Sequence, residues 1–164
     1  MDELLLQCAA LYSPQMRVVL WALLLMTAIG AGADPQERID LRAFRGSSYR
    51  EVARLADLSE PLSRRVAQLI DQPIAEKGAP WNATDVIIGD SNPPVRRFVI
   101  AGETRSRSFV VYEHGGIARH QHLLAFEKSA AAPKLVANVF LPEVQSVREA
   151  LVAMRKPLRT ADHF

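Results

Sequence analysis

Three of the chain's four histidines, His114, His120 and His122, lie close together between Glu113 and Leu123. The spacing of His120-Gln121-His122 matters because side chains two apart on a strand point to the same face. Two imidazoles so placed suit Zn, Cu or Ni, and Glu113 or His114 would supply a third ligand. The surrounding stretch, Ser106 to Lys128, reads as a hairpin in which runs rich in Val, Ile, Phe and Tyr flank Gly115-Gly116. A Gly-Gly pair provides the two φ > 0 positions of a tight type I′ turn. A two-residue turn there pairs Glu113 with Ala118 and Val111 with His120. Glu113, His120 and His122 then share a face, His114 points to the other, and Phe109 sits opposite His122. That apolar company favours packing as the first role for the two histidines. A polar site titrating near the ordinary imidazole pKa of about 6.5 and a metal site are the functional alternatives.

Other chemistry finds less support. The chain has no Gly-x-Ser-x-Gly and no His-Glu-x-x-His, and no Gly-rich loop joins a strand to a helix to cradle phosphate. Asp85 and Asp90 are loop aspartates of the kind that build turns. The only cysteine is Cys8, so the chain from Asp34 onward has no thiol for a disulfide, a metal or a nucleophile. Arg96, Arg97, Arg105, Arg107 and Arg119 make the strand region basic. They read as a solvated outer sheet face, or as a contact for an anionic surface or an envelope protein. A formal net charge of +2 gives no clustered basic face of the kind nucleic acid requires. No cofactor is expected.

The elements that must position these residues follow from periodicity. Ser48-Tyr49-Arg50-Glu51 has capping-box spacing and predicts a short helix to Leu58. Ser59 starts a second, with Glu60 and Pro61 in its first turn and Leu62, Val66, Leu69 and Ile70 on one face. Together they form a helical hairpin, stopped by Pro73. Trp81 reads as a core lid, Asn82-Ala83-Thr84 as a turn, and Val86 to Ile88 as a short strand. Strands are predicted over Val95–Ala101, Arg107–Glu113, Ile117–Glu127 and Lys134–Phe140. In the first of these, Phe98 and Ile100 share a face. Connections this short join antiparallel neighbours. Glu143 to Met154 reads as a closing helix. The expected fold is α+β: a four-stranded antiparallel meander with an N-terminal helical hairpin and a C-terminal helix packed on one face.

The front of the chain reads as an address. From Val18 to Ile29 every residue but Thr27 is apolar, and Ala31-Gly32-Ala33 precedes Asp34 as an A-x-A-like cleavage site. The run falls short of the about 20 residues that span a bilayer. Residues 1–33 are thus expected to be a signal peptide, with Met16-Arg17 as the working start because it supplies the positive charge a leader needs. A retained membrane anchor over residues 18–33 is the alternative. Residues 34–46 form an extended lead-in, 47–154 the α+β domain and 155–164 a polar tail. The sequence therefore predicts an exported, non-enzymatic binding or interaction domain of the periplasm or cell envelope. A small metal-binding protein or enzyme using the hairpin histidines, and a membrane-tethered accessory subunit, are its alternatives.

Overall fold

A computed structural model of the chain describes residues 38–46, 48–84, 86, 93–116, 118–129 and 132–164. The leader, its upstream extension, Ile87 and Ile88 of the short predicted strand, and the Asp85–Asp90 pair lie outside these. In chain order the elements are β1 (Arg38–Ile39), a 3-10 turn (Arg42–Phe44), β2 (Arg50–Val52), a second 3-10 turn (Leu55–Asp57) and α1 (Glu60–Leu69). Then come β3 (Ile74–Ala75), β4 (Arg96–Glu103), β5 (Arg107–His114), β6 (His120–Glu127), β7 (Lys134–Leu141), α2 (Val147–Ala153) and β8 (Leu158–Arg159).

Among the described residues the molecule is mostly β, with two short helices, and this corrects the predicted fold. A six-stranded sheet runs β2-β4-β5-β6-β7, with β3 parallel to β4, and β1 pairs β8 in a separate two-stranded ribbon. It is not a four-stranded meander with a helical hairpin. The helices also do not share a face. Leu62, Val66 and Ile70 of the α1 region pack with Phe98, Ala101, Val110, Tyr112, Leu124 and Phe126. Val147 and Ala150 of α2 pack with Ile100, Phe109, Val111, Leu123, Ala125 and Val139 on the other side. The sheet is therefore the middle of three layers. Burial on both faces explains why Phe109-Val110-Val111-Tyr112 and Leu123-Leu124-Ala125-Phe126 run continuously apolar instead of alternating. A register shift between Phe98 and Ile100 is a bulge that sends these two side chains to opposite faces.

The predicted first helix is instead β2 and a 3-10 turn. A helix of two or three turns is marginal in isolation. Arg50–Val52 find partners in the edge of β4, with Arg50 opposite Glu103 and Val52 opposite Ala101. Tyr49 turns inward, its hydroxyl donating to the Phe44 carbonyl at 2.9 Å and its ring resting on Phe109. The second helix forms from Glu60 with Pro61 in its first turn. Ser59 does not cap it through its side chain, because that hydroxyl is drawn to Glu103.

Glu103 is buried, and it ties four segments together. Its carboxylate accepts from the Ser59 N–H at 2.9 Å, the Ser59 hydroxyl at 2.7 Å, Lys128 Nζ at 2.6 Å and Arg50 Nη2 at 3.1 Å. Burial alone would raise its pKa. The hydrogen bonds from Lys128 and Ser59 outweigh burial and hold the carboxyl below its usual range. A depressed folded pKa contributes stability above the unfolded carboxyl value, and that contribution is lost as pH falls through the folded value. Glu103→Gln should therefore lower stability at neutral pH by about 1.5–3 kcal/mol. Taken from about pH 6 to about pH 3, the wild type should lose more melting temperature than the variant. Parallel pH profiles for the two proteins would show that Glu103 is not held in its charged form by the fold.

Candidate metal centre

The loop 115–119 sets the site. Only Gly116 of the glycine pair has positive φ, at 121°, so the type I′ turn is not formed. Gly115 is needed for a different reason. Its N–H donates to the Val95 carbonyl at 2.8 Å, and a Cβ there would lie 3.0 Å from Ala83 Cα and closer still to the Asn82 carbonyl oxygen. Asn82 in turn holds its own turn, accepting from Thr84 N–H at 2.9 Å. The two strands therefore separate after His114 and rejoin at His120.

That loop changes the register. His114 lies opposite His120 and Tyr112 opposite His122, whereas Val111 faces Leu123 and Phe109 faces Ala125. The offset from the two-residue turn is an odd number of residues, so one strand's faces are exchanged relative to the other's. His114, His120 and His122 share a face. Glu113 points to the other, where Arg97 at 2.5 Å and Arg119 at 3.1 Å pair with its carboxylate. It is not a neighbour of the histidines in the way the sequence pattern implied. The five arginines do not form one basic face either. Arg96 is buried and donates to Gln72 and to the main-chain oxygen of Phe164. Arg97 lies over the Trp81 ring at 4.5 Å, Arg107 over Phe44 at 5.5 Å, and Arg105 is exposed in the β4–β5 turn.

The fourth histidine completes the cluster. His163 follows β8, and one ring nitrogen from each of His114, His120, His122 and His163 lies within 4.8 Å of every other. All the histidine in the chain is gathered here. Segment 160–164 reaches the site because Thr160 bridges to Val139, Ala161 N–H donates to the Asn138 carbonyl at 2.9 Å, and the Asn138 amide donates to the carbonyls of Ala161 and His163. The sequence pattern predicts only a polar tail here. The signals for Asn138, Tyr112 and Phe140 as site neighbours lie in the β-sheet register alone. Tyr112 stacks on His122 with centroids 4.9 Å apart, and Phe140 lies 5.1 Å from the rings of both His120 and His122. Burial pushes the Tyr112 phenol up, so the ring is a neutral wall beside His122.

The protons of two rings can be assigned. His120 Nδ1 faces the Ala118 carbonyl, which only accepts, so this nitrogen carries hydrogen. Asn138 Nδ2 is fixed by the two carbonyls it serves, so its oxygen accepts from His122 Nδ1–H at 3.2 Å. Both Nε2 atoms are then lone-pair nitrogens in the neutral rings, and they face each other at 2.8 Å. Two acceptors at that distance need a proton or a metal ion between them. His122 itself stays neutral: burial is the main cause, with the charges of His120, His163 and His114 adding to it against the Asn138 hydrogen bond, and its pKa is lowered to about 3. Neutral imidazole with its second nitrogen donating to a carbonyl is the state in which histidine ligates metal.

The loop contact is testable by denaturation. Gly115→Ala should cost about 1–3 kcal/mol, because a methyl group is driven into the Asn82–Ala83 backbone. Equal urea midpoints for Gly115→Ala and wild type would rule out that approach. Comparison with protein families, with curated proteins and with solved structures returns no match, so the reading of this centre rests on its own residues.

Proposed function

We propose that this chain is an exported binding domain whose ligand is a single transition-metal ion, held by His114, His120, His122 and His163. The observation that carries the reading is the pair of opposed Nε2 atoms 2.8 Å apart, each on a ring whose Nδ1–H is already committed. Imidazole nitrogens select Zn, Cu or Ni over Mg or Ca. A tetrahedral ion with bonds of about 2.0–2.1 Å sets its nitrogens roughly 3.3 Å apart, so the widest pairs, within 4.8 Å, need to close by about 1.5 Å at most. The leader read from Val18 to Ala33 supports export.

Thermal unfolding of the full chain with added Zn, Cu or Ni tests this. A ligand that binds only the folded state stabilises it by about 2.7 kcal/mol at one hundred times its dissociation constant. At least one of the three metals should raise the melting temperature with one-to-one saturation, and His120→Ala and His122→Ala should each abolish the shift. If the rings serve packing alone, none of the metals will stabilise the wild type, and His122→Leu will be neutral or stabilising because it removes a buried polar group.

A further inference from the structure

The four ligands are not held alike. His114, His120 and His122 sit on β5 and β6, which pair without a break from Arg107↔Glu127 to His114↔His120. His122 is fully buried and the other two are half-buried. His163 is exposed and lies beyond β8, a strand of two residues. Among the described residues, hydrogen bonds to the segment from Ala161 to Phe164 come from or go to only Asn138 and Arg96, and all involve its main chain. No hydrogen bond holds the His163 ring among the described residues, whereas the His120 and His122 rings are both oriented by one. Phe164 rests against the α1-side core, but the exposed His163 ring beside it is tied by no hydrogen bond among the described residues, and a short segment of this kind opens locally at a fraction of the global unfolding free energy.

We propose that His163 is the exchangeable ligand of the centre. Segment 161–164 closes over a three-histidine platform on the sheet, and when it lifts, the metal keeps its three strand ligands and accepts one imidazole donor from outside. This rests on the metal-binding reading above. The space vacated is that of an imidazole ring: His163 lies with its centroid 5.8 Å from His114, 5.9 Å from His120, 5.4 Å from His122 and 6.1 Å from Phe140. Its walls are flat rings, which suit another flat nitrogen heterocycle. Three histidines plus one open position is also a coordination set that holds a metal without the fourth protein ligand. The exchange breaks one metal–nitrogen bond and forms another, with no change in oxidation state and no net proton transfer. Metal would enter and leave through this position, by handover from one imidazole to the next.

Cu(II) titration of the full chain, His163→Ala and His163→Gln tests the proposal, read by electron paramagnetic resonance and by transfer to a chelator. Both variants should bind one Cu(II), with affinity reduced about tenfold or more, and release it to chelator faster than wild type. Free imidazole should restore the four-nitrogen spectrum in both variants. Wild type should need far higher imidazole, because its tethered histidine competes at an effective concentration in the millimolar range or above. A Gly-His-Gly peptide that restores the spectrum as well as imidazole does would identify the incoming donor as a histidine side chain; restoration by imidazole alone would identify a small molecule. Circular dichroism of the two variants separates lost binding from lost folding. Folded variants that bind no Cu(II), or that bind it and ignore imidazole, would overturn the exchangeable-ligand proposal. Failure of the wild type to bind Cu(II), Zn(II) or Ni(II) at all would instead overturn the metal-binding reading beneath it.

Discussion

The placement of His114 opposite His120 is the constraint on which this end of the molecule depends. It puts three imidazoles on one face and sends Glu113 to the other. Hydrophobicity alone does not select that register, because both faces of the sheet are buried and both strands are apolar on both sides. Polar residues select it. Glu113 must reach Arg97 and Arg119, and Gln121 must reach the Val144 backbone, which it does through both its oxygen and its amide. A slip by one residue would bury the Glu113 charge among the α1-side side chains without a cation, at a cost of several kcal/mol.

Two-sided burial also governs how the helices are used. Each face needs a cover, and each helix supplies only a narrow apolar stripe. The α1 region covers one face with Leu62, Val66 and Ile70; α2 and the residues around it, including Leu41, Phe44 and Met154, cover the other. Short segments finish the job. Ser146 accepts from Glu149 N–H at 3.2 Å and starts α2 later than the apolar stripe suggests, leaving Val144 outside the helix and buried against the sheet.

Much of this was legible in the sequence at the level of elements and little at the level of faces. The four long strands fall close to the stretches that their β-branched and aromatic residues mark, and α1 begins where Ser59, Glu60 and Pro61 signal it. The strands of two or three residues are invisible, because a period cannot be read from Arg38–Ile39 or Leu158–Arg159. The capping-box signal at Ser48 lost to the free edge of β4. The error with the largest consequence was the turn. Gly115-Gly116 matches a type I′ pair, but Gly115 is there because the Asn82–Ala83 backbone lies against it, which is a tertiary fact. The histidine triplet was visible as a cluster; its common face, and the arrival of His163 from the far end of the sequence, depended on that loop and on the β7–Thr160 bridge.

The ribbon formed by β1 and β8 has a mechanical consequence. Arg38 lies opposite Arg159 and Ile39 opposite Leu158, so the start of the described domain is tied to the strand that leads on to His163. Tension applied at Arg38 and Arg159 would load this ribbon in an unzipping geometry, one residue pair at a time. A pull carried to Phe164 falls first on segment 160–164, at its main-chain contacts with Asn138 and Arg96. Such a pull would draw His163 from the ring cluster before the ribbon is loaded.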